Sequence, residues 1–293
     1  MMWQALIFVV SVMGIVVQAN PTAEVKPAED TTNLDTHRDE KVFFAILQIS
    51  PDECTTSDNI RTSGTCLPSQ NCDAADQSGS CAQGVGSCCI NSRSCSESSS
   101  FNNTYFEEPA TLTNGACTLT LNRVNSNICQ VRLDFIDLDL GEPDMDGQCA
   151  SDFFTVTGGT STPPMICGSN TGQHMYVDVD PAGGPLKLTV DRTTATNNNN
   201  NWNVKATQIP CSSRYSAPSG CLQYYTETSG TVSSFNPMTR PTESDGTREI
   251  ADLDYGICIQ MADGYCGITW EVNGDNGFTL STDVNSLAPG LIG

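Results

Sequence analysis

Fifteen cysteines against two histidines constrain this 293-residue chain more than any other feature. Zinc sites draw on closely spaced Cys and His ligands. The only histidines are His37 and His174, and no C-x-x-C occurs. Disulfides formed in an oxidising compartment are the better account of the set. The N-terminus agrees. Ala5 to Val17 is an apolar run interrupted by Ser11 and Gly14. It is shorter than the roughly 20 residues a membrane helix needs. Val17-Gln18-Ala19 fits a small-residue cleavage site, so residues 1–19 are expected to be a signal peptide cut after Ala19. No later stretch is apolar enough to span a bilayer, and the C-terminal residues lack the tail of a lipid-anchor signal. A secreted, extracellular chain without membrane insertion is the expectation.

Charge narrows the partners. Asp and Glu number 34 and Lys and Arg 13, for a net charge of -21. Nucleic-acid binding needs a basic face, and anionic membrane surfaces are disfavoured for the same reason. Such a balance suits calcium or basic protein partners, and it also serves plain solubility. Residues 20–53 are read as a flexible acidic linker, because Pro, Thr, Asp and Glu dominate residues 20–42 and bury too little to offset ordering entropy.

Residues 54–94 hold Cys54, Cys66, Cys72, Cys81, Cys88 and Cys89, separated mostly by Ser, Gly, Asn, Asp and Gln. A segment this short and polar needs covalent staples, and six cysteines permit fifteen pairings in principle. Adjacent Cys88 and Cys89 must each reach elsewhere. Asn102-Asn103-Thr104 is a glycosylation sequon, with Asn102 as the acceptor. Further on, Val131, Leu133 and Phe135 alternate with polar residues. The parity then flips, so that Ile136, Leu138 and Leu140 alternate with Asp137 and Asp139. Period two reads as a half-buried strand, and the flip as a bulge. Met175 to Val179, Leu186 to Val190 and Trp202 to Ala206 alternate again, with Gly, Pro and Asn between them. Short strands at this spacing argue for an antiparallel β-sandwich. Asn197 to Asn201 reads as a solvated hairpin loop. His174 falls on the polar parity and is expected at the surface or in a hydrogen bond.

Cys117 followed by Leu119 and Leu121, the C-x-x-D at Cys149 to Asp152, and Ile166-Cys167-Gly168 resemble a CUB domain. The wording around Ile128 to Phe135, Ile166 to Asp178 and Cys221 to Asn236 looks like a group of arthropod secreted CUB proteins. The resemblance implies an all-β fold, a CUB-like antiparallel sandwich of jelly-roll type over residues 95–210. It implies the bonds Cys95–Cys117 and Cys149–Cys167, and binding of extracellular proteins. Many such domains also bind Ca²⁺. Glu142, Asp152 and Asp191 match the family's ligand places, although Gly141 stands where the family has its Glu. The alternative is a solvated acidic loop. The 54–94 knot resembles an arthropod clip domain through Gly64-Thr65-Cys66, Cys72, Cys81 and the terminal Cys88-Cys89. That likeness implies Cys54–Cys88, Cys66–Cys81 and Cys72–Cys89; a knot outside any family fits the composition equally.

From residue 211 the pattern begins again. Cys258, Ile259, Met261, Cys266, Ile268 and Trp270 echo Cys117, Leu119, Leu121, Cys129, Val131 and Leu133. Residues 211–293 are read as a partial second CUB-like unit. Either the sequence stops short of a whole domain, or residues 211–280 pair onto the first sandwich. Fifteen cysteines cannot all pair within one chain. Cys211, Cys221, Cys258 and Cys266 are expected to satisfy one another, leaving Cys129 as a buried free thiol. No nucleophile motif accompanies His174. The expected function is therefore non-catalytic binding of extracellular proteins. The alternatives are an accessory role in an extracellular serine protease cascade and, last, a carboxylate-based hydrolase.

Overall fold

A computed structural model describes residues 49–111, 115–192, 201–237 and 249–272, all within one compact unit. The expected signal peptide, the linker up to residue 48, and Asn197 to Asn200 lie outside the described residues. The described chain is almost entirely β.

Four short strands make the knot: β1 (Glu53–Thr55), β2 (Ser63–Pro68), β3 (Gln77–Cys81) and β4 (Gly86–Cys89), in the order β1-β2-β4-β3. Its bonds are Cys54–Cys88, Cys66–Cys81 and Cys72–Cys89, the same three that the clip resemblance implies. Successive residues on a strand point to opposite faces. Cys88 and Cys89 on β4 thus serve Cys54 on one side and Cys72 on the other. The strands close tightly around the sulfurs. A Cβ on Gly86 would come within 2.9 Å of Cys81 Sγ and 3.1 Å of Cys66 Sγ.

The chain passes from the knot straight into a two-sheet sandwich. Its strands are β5 (Asn91–Arg93), β6 (Ser98–Ser99), β7 (Thr104–Glu107), β8 (Gly115–Leu121), β9 (Ile128–Asp139), β10 (Asp152–Thr157), β11 (His174–Asp178), β12 (Leu186–Arg192) and β13 (Asn201–Pro210). One sheet runs β10-β12-β8-β6 and the other β11-β9-β13-β7-β5. The long strand pairings are antiparallel; the short β5 and β6 lie parallel to β7 and β8. Leu119, Leu121, Phe154, Leu188 and Val190 of the first sheet meet Val131, Leu133, Phe135, Val177 and Val204 of the second in one core. Phe135 and Phe154 pack edge to face across the gap at 5.7 Å. Each buried aliphatic or aromatic side chain of this kind stabilises by about 1.5–3 kcal/mol. The parity flip has its cause in the pairing. Phe135 faces Val204 and Asp137 faces Asn203, so Ile136 is the extra residue of a bulge.

Knot and sandwich share polar contacts. The Tyr105 hydroxyl donates to Ser63 O at 2.9 Å and accepts from Ser63 N at 3.2 Å. Thr65 Oγ1 donates to Asn102 O at 2.8 Å. Lys205 approaches Glu53 at 3.6 Å.

The two sandwich bonds implied by the CUB resemblance, Cys95–Cys117 and Cys149–Cys167, are present. The expectation of a free Cys129 is overturned: Cys129 bonds Cys211, Cys221 bonds Cys258, and Cys266 is free and exposed. Sheet register is the reason. Gln130 faces Ile209 and Ile128 faces Pro210, so Cys129 is the extra residue of a bulge at the start of β9, and Cys211 directly follows β13 with its Cα 4.6 Å from that of Cys129. That separation is within the usual range for a disulfide.

Past β13 the chain folds back on the sandwich. The strands β14 (Cys221–Tyr225) and β15 (Gly256–Ile259) form a separate two-stranded parallel sheet. Leu222, Phe235 and Ile250 nonetheless belong to the sandwich's own core. Of the two expectations for residues 211–280, docking on the first sandwich describes residues 217–237 and 249–258. A half-sandwich standing alone would expose apolar faces; this arrangement buries them.

Candidate interaction surface

The three carboxylates expected as calcium ligands do not share a site. On β12, Leu186, Leu188, Val190 and Arg192 point inward, so Asp191 points outward. Asp152 opens β10 on the inward parity, 3% exposed, and stands in register with Arg192. The sheet therefore lies between Asp152 and Asp191. Glu142 is exposed and accepts a hydrogen bond from Asn236 Nδ2 at 3.2 Å. Among the described residues no three His, Cys, Asp or Glu converge as a metal site. The matched spacing placed the right residue types in sequence, but strand parity separates them. Arg192 instead approaches the half-buried Glu108 at 3.7 Å; burial raises the Glu108 carboxyl, and Arg192 partly opposes this.

Asn102 sits half-buried at the knot–sandwich junction, where its Oδ1 accepts from Gln208 N at 2.7 Å and from Asn103 N at 2.9 Å. The Thr104 hydroxyl of the sequon is buried, bonded to Ser99 Oγ at 2.6 Å and donating to Phe101 O at 2.9 Å.

A polar seam fastens the C-terminal arm to the sandwich. Gln130 Nε2 donates to Ala217 O and Gln130 Oε1 accepts from Ala217 N, both at 2.9 Å. Gln223 Nε2 donates to Gln173 Oε1 at 3.0 Å, and Gln173 Nε2 donates to Ser234 O at 2.9 Å. Asn236 accepts from Ser169 N at 2.9 Å through Oδ1, while its own backbone N donates to Asn170 Oδ1 at 2.7 Å. Gly168, the glycine of Ile-Cys-Gly, has φ +72°, and a Cβ there would come within 2.2 Å of Asn236 Oδ1. Its place in the motif is thus set by the arm that covers it. His174 belongs to this seam and is buried, not at the surface, because β14 lies over it. Sequence reasoning missed the glutamines. Their signal was available: Gln130 and Gln223 are polar residues among buried apolar neighbours, and buried polar groups need partners.

Beyond β15 the picture reverses. Met261 is 85% exposed, Tyr265 57%, Ile268 54%, Trp270 64% and Val272 43%. Among the described residues, five of the eleven large exposed hydrophobic residues fall in these twelve positions. No strand forms over residues 260–272, and among the described residues β15 pairs with β14 alone. Cys266 lies in the middle of this patch with no bond. The echo read in Cys266, Ile268 and Trp270 is real as a pattern, yet these residues form no strand and pair with no sheet among the described residues.

The family model for the animal CUB domain matches residues 218–293. No curated protein matches the chain. The match begins at the docked arm and takes in the exposed patch. A CUB-domain match together with seven disulfides fits an extracellular protein-interaction role. No helix among the described residues is long and apolar enough to cross a membrane.

Proposed function

We propose that the chain is a secreted binding protein that engages other extracellular proteins through the patch Met261, Tyr265, Ile268, Trp270 and Val272. One observation carries this reading: large apolar residues cluster in solvent within the segment that matches the animal CUB domain. Contiguous exposed apolar surface marks interaction sites, and Trp and Tyr are the residue types that dominate binding energy at interfaces. The sandwich and the knot serve as the rigid base, and the chain performs no chemical step itself.

The test is a binding comparison. Full-length protein and the Trp270→Ala and Tyr265→Ala variants are used to capture partners from extracellular fluid, and each captured protein is then purified and titrated. A partner bound saturably by the native chain and at least tenfold more weakly by Trp270→Ala supports the reading. Equal affinity for all three proteins rejects the patch as the site.

A finer reading places the protein beside an extracellular protease cascade, as a non-catalytic accessory chain. The first-to-fifth, second-to-fourth, third-to-sixth pairing of the knot favours it, being that of the clip domain the sequence resembles. A change in the activation rate of a clip-bearing protease zymogen on adding the purified chain is the measurement; an unchanged rate rejects it.

A further inference from the structure

β14 is not laddered to the sandwich. It runs along β11, and among the described residues its backbone ladder is with β15 alone. What meets β11 at Tyr224 is an imidazole. His174 Nε2 lies 3.1 Å from Tyr224 N and 3.0 Å from Tyr224 O. A neutral ring with its proton on Nδ1 accepts the Tyr224 N–H, as a strand carbonyl would. A protonated ring has no lone pair for the Tyr224 N–H; its Nε2–H can donate to Tyr224 O, but the Tyr224 N–H then loses its acceptor and a cation stands in a buried seam.

We propose that His174 is an acid-sensitive latch, whose protonation breaks the hydrogen bond accepted from Tyr224 N–H and loosens β14, with β15 and the apolar patch that follows, from the edge of the sandwich. The surroundings set the balance. From β9, Arg132 opposes a second positive charge nearby, whereas Asp134, the register partner of His174, favours it, as does the Tyr224 carbonyl of β14 more weakly. Arg132 binds Asp134 at 2.7 Å and donates to the Tyr176 hydroxyl at 3.1 Å, so Asp134 is already engaged. From β11, the Tyr176 ring stands edge to face at 5.7 Å; from β14, the Tyr225 ring does so at 4.9 Å. Burial first, and then Arg132, hold the imidazole below its ordinary value of 6.5. The docked arm therefore binds fewer protons than the loosened arm. Docking is firm above about pH 6.5 and weakens as pH falls below it. Phe235 and Ile250 stay in the core, and the Cys129–Cys211 and Cys221–Cys258 bonds persist, so the change is a loosening at the seam and not a release.

Native-state hydrogen exchange on the full chain tests the latch at pH 7.5 and pH 5.5, with rates corrected for the intrinsic effect of pH. Protection of the β14 amides, Tyr224 first, is expected to fall about threefold or more on acidification, while β9 and β12 amides hold theirs; each unit of displaced titration is worth about tenfold. In His174→Gln, whose side-chain carbonyl can accept but does not titrate, the β14 protection should no longer depend on pH. Unchanged β14 protection in the native protein, or the same fall in the variant, overturns the proposal. Should the variant misfold, NMR titration of the native protein decides. The Tyr224 amide shift must follow the His174 ring curve, and a Tyr224 amide that does not follow it sinks the latch.

Discussion

Single side chains decide two properties that bulk composition leaves open. Cys266 is the free cysteine, and it is exposed. A thiol reagent added to native protein should modify one site per chain, at Cys266, and none at Cys129; peptide mass mapping reads the outcome. Labelling at Cys129 in native protein would mean that the Cys129–Cys211 bond is absent. Asp58 in the knot offers a second test. The backbone N–H groups of Arg61 and Ile60, and then the Arg61 side chain at 2.8 Å, hold its carboxyl down from 3.8 to about 2. A carboxyl held low in the folded state stabilises above its unfolded value and loses that contribution as pH falls. The Asp58 contribution should thus be complete above about pH 4, fall between pH 4 and pH 2, and be gone below about pH 2. Asp58→Asn should lower the knot's resistance to reduction at pH 7 and make it indifferent to pH across that window. Titration with a water-soluble phosphine, which reduces disulfides in acid without a thiolate, followed by mass spectrometry measures this.

At the level of elements, the arm is held by both a covalent and an apolar anchor. Cys129–Cys211 closes 82 residues and Cys149–Cys167 closes 18. On the chain-entropy model their removal costs about 4.5 and about 3 kcal/mol. Replacing both cysteines of the longer loop by Ala should therefore lower denaturant stability more than the same change in the shorter one; the reverse order would show that strain or residual structure governs. Phe235, 1% exposed against Phe135 and Tyr255, is the apolar anchor. Phe235→Ala should cost about 3–5 kcal/mol. A loss below 1 kcal/mol in urea unfolding would mean that the arm does not share the sandwich core.

For the molecule as a whole, stability and recognition sit in different places. The core lies between the sheets, whereas the patch from Met261 to Val272 is in solvent. Ile268→Ser with Trp270→Ser should leave the melting temperature within a degree or two of the parent while reducing binding of an apolar dye. A large drop in melting temperature would place these side chains in a packed interior. The net charge of -21 works against self-association of that patch by long-range repulsion, more weakly as salt screens it. Raising salt to 1 M should accordingly increase dimer content in analytical ultracentrifugation of the native chain, and less so in the double variant.

Alternation by itself determined the β class, the sandwich core from Leu119 to Val204 and the bulge at Ile136, whereas the staples of the knot and first sandwich followed from the clip and CUB resemblances. Alternation is local, because side chains change face every two residues, whereas six cysteines in a short segment leave fifteen pairings open. Tertiary structure alone decided which cysteine stays free, which carboxylates meet, and where residues 217–237 and 249–258 lie. Each depends on register between strands far apart in sequence, and a shift of one residue reverses every face. Asp152 and Asp191 stand one parity step apart across β10 and β12, so a motif that lists both says nothing about whether they converge. Cys129 and Cys211 are 82 residues apart and meet because β9 and β13 pair end to end, a long-range fact that no window of the sequence contains.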